Sequence, residues 1–258
     1  MSSIKFEIIE KVAKITLNRP EVLNSFNMEM AILLQEYLDE CIYNQNIRAI
    51  YITGEGRGFF FVLDLSEVVG EDAKSVEEIL KKSYNPIVLK IRNLEKPVIA
   101  AVNGVAAGAG ANIALACDIV LASENASFVQ AFSKIGLIPD SGGTFFLPRL
   151  VGMAKATAMM FLGNKVSAKE AADIGMIYSC VNSESLENEA MVIATTLSEM
   201  PTKAIGLTKR GINRGLYNDL ENQLQFEESI QKEASESHDY KEGVEAFLEK
   251  RKPVFLGR

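Results

Sequence analysis

Asp140 is the residue whose neighbours best suit it to move a proton. It lies in a glycine-rich turn, residues 138–144, that holds no other acid. An acid held between apolar neighbours can act as a proton shuttle. The turn also leads into a helical pattern, so the carboxylate has an alternative role as the cap of a helix that begins near Gly142 or Gly143. Both roles, general acid/base and helix cap, stay open at this point.

A second glycine turn, with Gly104, Gly108 and Gly110, follows the apolar run 98–102. We expect a strand there and a helix that begins at Gly108 or Ala109. Backbone N–H groups at such a helix start bind oxyanions well. An aspartate titrates near 4, so it can remove a proton from carbon only where other groups stabilise the anion that forms. One N–H donor to that anion contributes roughly 3–4 kcal/mol to stabilising the transition state. The alternative for these glycines is close packing of helix against strand.

Several common kinds of site are excluded by the residues present. A Ser-His-Asp or Cys-His site would need His238, which is the one histidine and lies in a polar run typical of a solvated helix start. No GxSxG motif and no cluster of zinc ligands occur. A dinucleotide-binding glycine motif also fails, because its third glycine would fall at Ile113.

Length and composition set broad limits on function. The chain has 258 residues and a net charge of −7, which favours one large domain, or one with a small appendage, and argues against nonspecific nucleic-acid binding. We expect no membrane span and no signal peptide, and hence a cytoplasmic protein. Cys41, Cys117 and Cys180 are far apart and predict small buried side chains in a reducing compartment.

Strands and helices alternate in the first half of the chain. Residues 4–9 and 12–17 predict two strands joined at Glu10, and the later pattern predicts stacked β-α units. The end of the chain predicts helices at 185–198, 202–215, 219–236 and 239–251. We therefore expect a core over residues 1–200 and a helical oligomerisation region over residues 201–258.

Apolar stripes occur on the last two predicted helices. The stripes include Leu220, Leu224, Val244, Phe247 and Leu248. Side chains at this spacing either pack in the core of their own chain or contact another subunit, and both alternatives stay open.

An ordered series of motifs resembles the crotonase (enoyl-CoA hydratase/isomerase) superfamily. The series includes ITLNRPEVLNSFN, YITGEGRGFF, KPVIAAVNGVAAGAGANIALACDIVLAS and FSKIGLIPDSGGTFFLPRLVG. The resemblance implies an α/β fold, a crotonase-like spiral of ββα units with a C-terminal helical trimerisation region. It also implies a homotrimer or a dimer of trimers that acts on an acyl-CoA substrate. Within the family, AFSKIGLIPDSGG is most similar to ring-1,2-epoxyphenylacetyl-CoA isomerases, followed by Δ3,Δ2- and dienoyl-CoA isomerases.

The resemblance also implies roles for particular residues. The two backbone N–H groups that hold the thioester oxygen fall at Leu63, just before Asp64, and at Ala109. The acid that several isomerases use falls at Asp140. The two glutamates that hydratases use fall at Asn112 and Phe132, which are not acidic, so an isomerase is implied rather than a hydratase.

Binding of the CoA part is implied for two segments and one glycine. The positions are Val22, Leu23 and Asn24, with Phe61, Val62 and Gly108. CoA belongs to the substrate, so the resemblance implies no metal and no separate cofactor. The basic run 250–252, with Phe255, resembles a segment that reaches CoA phosphates from a neighbouring subunit.

One loop departs from the pattern of the family. Where small residues and a glycine are usual, this chain has Phe60, Phe61 and the β-branched Val62. Glycine permits close backbone approach and positive φ, which a β-branched residue resists. The departure predicts weakened or altered CoA binding. Three hypotheses follow: an isomerase of CoA thioesters, an enoyl-CoA hydratase, or a non-catalytic subunit whose site is plugged by residues 60–63.

Overall fold

The chain begins with the β-hairpin that the sequence predicts. The computed structural model describes residues 2–61, 67 and 73–258. Strands β1 (Ile4–Ile9) and β2 (Val12–Leu17) pair antiparallel, with Ile9 opposite Val12. Glu10 has a φ of 54° in the turn between them. The predicted boundaries of both strands are confirmed.

Eight further strands lie in the described residues. They are β3 (Ala49–Gly54), β4 (Gly58–Phe60), β5 (Val98–Val102), β6 (Val105–Ala107), β7 (Ile119–Ser123), β8 (Ser127–Val129), β9 (Lys165–Ser167) and β10 (Ser179–Val181).

The helices of the described residues follow the strands in the first half and then dominate the second. They are α1 (Met28–Tyr43), α2 (Val76–Ile79), α3 (Asn85–Asn93), α4 (Ala109–Ala116), α5 (Gly143–Val151), α6 (Met153–Leu162), α7 (Ala168–Asp173), α8 (Leu186–Glu199), α9 (Thr202–Gly215), α10 (Leu220–Ser235) and α11 (His238–Glu249). A π-helical turn, Leu80–Tyr84, joins α2 to α3. Short 3-10 helices lie at Pro20–Val22 and Ala131–Ile135.

Strands β3 to β8 alternate between two sheets. One sheet has the order β1-β2-β3-β5-β7-β10 and the other β4-β6-β8-β9. The pairs β2/β3, β3/β5 and β5/β7 are parallel, as are β4/β6 and β6/β8. Each ββα unit therefore adds one strand to each sheet before its helix, and the expected series of stacked ββα units is confirmed.

Helix α4 lies at the centre of this arrangement. All eight of its residues are buried. A Cβ at Gly110 would lie 2.3 Å from the carbonyl oxygen of Phe60, and one at Gly104 would lie 1.9 Å from that of Arg57. Such distances are impossible for real side chains, so the close packing considered for these two glycines is confirmed. Close packing brings the start of α4 against strand β4.

Polar caps fix the starts of other helices. Asn27 Oδ1 accepts the N–H of Met30 at 3.0 Å and caps α1. Ser167 Oγ accepts the N–H of Glu170 at 3.2 Å at the start of α7. Each bond satisfies a helix N–H that has no intrahelical acceptor. Both helices therefore begin directly after a residue whose side chain caps them.

The C-terminal helices differ in how they meet the core. Lys209 on α9 is nearly fully buried, and its Nζ lies 2.7 Å from Asp118 Oδ2. By contrast, the apolar stripes of α10 and α11 are exposed, with Leu220 at 74% and Phe247 at 82%. Core packing is therefore the wrong alternative for these stripes, while subunit contact and the boundary at residue 200 stay predictions. No helix in the described residues has the length and apolarity needed to span a bilayer.

Candidate active site

The start of helix α4 presents backbone N–H groups. Gly108 precedes the helix with φ 56° and ψ −126°, a conformation that favours glycine strongly. Its N–H donates to the carbonyl oxygen of Val129 at 2.9 Å. The N–H of Ala109, as the first of the helix, has no intrahelical acceptor, and no described residue accepts it. This N–H can therefore bind an oxyanion.

Asp140 lies in a turn that is fixed through its backbone. Its carbonyl oxygen accepts the N–H of Gly143 at 2.8 Å and the Nδ2 hydrogen of Asn112 at 2.9 Å. Its carboxylate accepts a hydrogen bond from Ser141 Oγ at 2.8 Å. Helix α5 begins after Gly142 with no side-chain cap. The helix-cap alternative for the Asp140 carboxylate is therefore wrong, since this group bonds to Ser141 and not to an N–H of the helix.

Asn112 connects helix α4 to the Asp140 turn. It is 0% exposed, and its Oδ1 accepts a hydrogen bond from Gln130 Nε2 at 2.7 Å. A Cβ at Gly143 would lie 2.3 Å from Asn112 Nδ2, so a glycine is needed for this close approach. Asn112 is three residues after Ala109, about 4.5 Å along the helix axis. The Asp140 turn is therefore hydrogen-bonded to a residue that lies within one helical turn of the free N–H.

Burial raises the pKa of the Asp140 carboxyl above its ordinary value, while the Ser141 hydrogen bond acts in the opposite direction. Desolvation penalises the charged form, and here it is the larger effect. A carboxylate with a raised pKa is a stronger base once ionised. The environment of Asp140 therefore suits proton transfer better than that of a surface aspartate.

Neither position of the hydratase glutamates carries an acid. Asn112 is neutral, and its amide is bonded to Asp140 and Gln130. Phe132 is a buried hydrophobic residue. Asp140 is thus the one acid of the 138–144 turn, and Asn112 bonds this turn to α4. From the sequence alone, Asn112 was only a position where a hydratase would have a glutamate. Its role in holding the Asp140 turn was not predicted.

The loop of Val22, Leu23 and Asn24 is joined to the strand that leads into residue 61. Asn24 donates both Nδ2 hydrogens, to the carbonyl oxygens of Glu55 at 3.0 Å and Gly58 at 2.8 Å. The N–H of Phe61 donates to the carbonyl oxygen of Leu23 at 3.2 Å. Leu23 and Asn24 both have positive φ. Asn24 therefore shapes this loop, while Val22 offers an exposed apolar surface.

The loop with the unusual aromatic residues is described only at its start. Phe60 is fully buried and stacks on Phe26, with 4.4 Å between ring centroids. This packing corrects the prediction that Phe60 plugs the site, since its ring belongs to the hydrophobic core. Phe61 is half-buried. Val62 and Leu63, and with them the first predicted oxyanion donor, lie outside the described residues.

The other residues considered in the sequence, His238 and the basic run 250–252, lie in helix α11 and directly after it. His238 is the first residue of α11 with a half-exposed side chain, as expected of a helix start. Arg251 makes two hydrogen bonds to Glu242 and one to Glu249, so its guanidinium is engaged within its own chain. Among the described residues no group of three or more potential metal ligands occurs.

Comparison with known proteins identifies the family. The family model described as Enoyl-CoA hydratase/isomerase matches residues 7–258. The chain belongs to this family. The predicted resemblance to the crotonase superfamily is thereby confirmed.

Individual relatives cover nearly the whole chain. It is 46% identical to the 1,2-epoxyphenylacetyl-CoA isomerase of Escherichia coli K12, with 100% of both chains covered. It is 44% identical to a probable enoyl-CoA hydratase of Rhodobacter capsulatus, with 99% of this chain and 98% of the other covered. The family consists of enzymes, and its named members include isomerases and hydratases of CoA thioesters.

Solved structures show the same fold. The crystal structure of an enoyl-CoA hydratase from Bacillus anthracis matches with a TM-score of 0.93 at 33% identity and covers 100% of both chains. The crotonase-like α/β fold with two sheets and C-terminal helices is therefore confirmed.

Proposed function

We propose that this member of the family is an isomerase of CoA thioesters that acts on ring-epoxyphenylacetyl-CoA or on an enoyl-CoA. The observation that carries the proposal is that Asp140, a half-buried acid, lies in a turn bonded through Asn112 to helix α4, which begins with the free N–H of Ala109. One acid can move a proton between two carbons, whereas addition of water in this family uses two. The 46% identity to a protein named 1,2-epoxyphenylacetyl-CoA isomerase supports the choice.

The proposed mechanism uses the backbone to hold charge and the side chain to move a proton. The acyl carbonyl accepts hydrogen bonds from Ala109 and, by the family pattern, from Leu63. Asp140 removes a proton from carbon, and the electrons of that C–H bond form an enolate whose oxygen is held by the two N–H groups. The same proton is then returned to a different carbon, which shifts the double bond. With a ring epoxide as substrate, Asp140 assists opening of the ring.

The CoA part is proposed to lie along the loop of Val22, Leu23 and Asn24, with Phe61, Val62 and Gly108 nearby. It enters and leaves with the substrate, so no separate cofactor is proposed. The exposed stripes of α10 and α11 are proposed to pack between subunits of a homotrimer or of a dimer of trimers. A cytoplasmic role in phenylacetate or fatty-acid breakdown stays a prediction.

A second candidate is an enoyl-CoA hydratase, which the 44% identity to a probable hydratase favours. Two assays separate the candidates: loss of the enoyl absorbance of crotonyl-CoA reports hydration, and gain of that absorbance from 3-hexenoyl-CoA reports isomerisation. We expect isomerisation to exceed hydration, because Asn112 and Phe132 supply no acid. Fast hydration of crotonyl-CoA would contradict the proposal. A chain that binds no acyl-CoA in calorimetry would instead support the non-catalytic hypothesis.

A further inference from the structure

Tyr84 carries a buried polar group with no partner in the described residues. Its side chain is 2% exposed, and its hydroxyl has no hydrogen bond. A buried hydroxyl without a hydrogen bond is energetically unfavourable, so such groups are rare unless a ligand completes them. Tyr84 also ends the π-helical turn Leu80–Tyr84. Single π-helical turns occur frequently at functional sites.

The surroundings of Tyr84 place it beside the candidate active site. Its ring lies 6.3 Å from the ring of Phe60 and 6.1 Å from that of Phe26. Phe60 in turn packs against Gly110, the residue that follows Ala109 at the start of α4. Tyr84 therefore belongs to the same aromatic cluster as Phe60, which lies against the start of α4.

Tyr84 is a hydrogen-bond donor at neutral pH. Burial raises its pKa far above the ordinary value, and the negative charges of Asp140 and Glu67 raise it further. Neither carboxylate takes its proton in a hydrogen bond: Glu67 Oε2 is 2.7 Å from Lys74 Nζ, and Asp140 Oδ1 is bonded to Ser141. The hydroxyl thus has a proton to donate and no acceptor among the described residues. The acceptor that fits is an oxygen atom brought by the ligand.

We propose that the Tyr84 hydroxyl donates a hydrogen bond to an oxygen atom on the acyl group of the bound thioester, so that the site prefers oxygenated acyl groups to plain hydrocarbons. This inference rests on the proposed binding of an acyl-CoA at Asp140 and Ala109, and it names the substrate class more closely. A site built to donate a hydrogen bond rejects an analogue that lacks the acceptor, because the buried donor is then left unpaired.

The test compares the binding of three stable thioesters by calorimetry. They are 2-hydroxyphenylacetyl-CoA, phenylacetyl-CoA and 2-methylphenylacetyl-CoA, whose methyl group matches the hydroxyl in size. The parent protein should bind the hydroxy compound about 3- to 10-fold more tightly than the other two, and Tyr84→Phe should lose this preference. Tyr51→Phe, which changes a tyrosine buried in a separate apolar cluster, should keep it. Because Tyr84→Phe removes an unpaired hydroxyl, its thermal midpoint should equal or exceed that of the parent.

Each outcome decides the inference separately from the proposed isomerase activity. No preference in the parent, or a preference that persists in Tyr84→Phe, overturns it. A preference that Tyr84→Phe abolishes supports it even if the turnover assays show no isomerisation, in which case only the proposed reaction fails. If the variant does not fold, the absence of a preference in the parent still overturns the inference.

Discussion

The start of helix α4 and the outer faces of α10 and α11 differ in how far their side chains are buried. Around α4 every residue of the helix is buried, glycines allow the backbones to touch, and Asn112 bonds to both Asp140 and Gln130. On α10 no residue is buried, and Phe247 on α11 is 82% exposed. The side chains of the first region are buried by contacts within one chain, whereas the second region has apolar surface that its own chain does not cover.

The difference indicates where rigidity is needed and where association is expected. A proton-transfer site requires its acid and its N–H donor within tenths of an ångström, and close packing supplies that precision. Exposed apolar patches, by contrast, typically mark interaction surfaces. Changes at the α4 start should therefore affect chemistry and stability, while changes on α10 and α11 should affect association.

The largest effect is expected from Asp140→Asn. Loss of the proposed proton shuttle should lower kcat for isomerisation about 10²- to 10⁴-fold, the usual contribution of general acid–base catalysis. The measurement is the absorbance assay with 3-hexenoyl-CoA. Asp173→Asn, at an exposed pair with Lys169, is the control and should leave the rate within about twofold. Equal rates for Asp140→Asn and the parent would contradict the proposed role.

Two glycine substitutions compare the packing of the two regions. Gly110→Ala places a Cβ 2.3 Å from a backbone oxygen and should lower the free energy of unfolding by at least about 1–3 kcal/mol. Gly243→Ala in α11 meets nothing closer than 3.6 Å and should raise it by about 0.5–1 kcal/mol. Urea unfolding measures both. Equal effects would show that the two regions are packed alike.

The pH dependence tests the raised pKa of Asp140. A group with a raised pKa in the folded state stabilises the fold below its unfolded pKa and loses this contribution as pH rises through the folded pKa. At pH 7 the charged carboxylate therefore opposes folding. Asp140→Asn should match or exceed the parent in thermal midpoint at pH 7, and the difference should shrink toward pH 4.

The acid limb of activity provides the second measurement on this group. The rate of the parent should fall as Asp140 is protonated, at a pH above the ordinary aspartate value of about 4. A variant less stable than the parent at pH 7, with a gap that closes on acidification, would show that the pKa is lowered instead. An acid limb below pH 4 would lead to the same conclusion.

The double variant Leu224→Ser, Phe247→Ser is expected to have the smallest effect on the stability of the chain. Both side chains are more than half exposed, so the free energy of unfolding of an isolated chain should change by only about 0.5 kcal/mol. The mass in solution should fall, however, because the proposed subunit contact is lost. Light scattering measures the mass, with the exposed Tyr43→Ser on α1 as the control. An unchanged oligomer would place the contact elsewhere.

Local patterns predicted much of the fold. The hairpin at Glu10, the cap at Asn27 and the start of α4 after Gly108 all follow from short-range rules of turns, caps and glycine. The four C-terminal helices also begin and end close to their predicted bounds. These features depend on neighbours in sequence, which one chain displays directly.

The parts of the site that the sequence did not predict depend on contacts between residues distant in sequence. Asn112 and Asp140 are 28 positions apart, and Asn112 and Gln130 are 18 apart. Tyr84 lies in an amphipathic segment, where an aromatic residue is usually an ordinary core residue. No local pattern around it predicts the π-helical turn. Only the packing showed that its hydroxyl is buried without a partner.

Exchange of the protons next to the thioester carbonyl tests the central claim most directly. The parent and Asp140→Asn would be incubated with phenylacetyl-CoA in deuterium oxide, and loss of the Cα proton signal would be followed by NMR. If Asp140 removes a proton while the N–H of Ala109 holds the enolate oxygen, the parent should catalyse exchange and Asp140→Asn should not. Exchange at the same rate in both proteins, or in neither, would contradict the account.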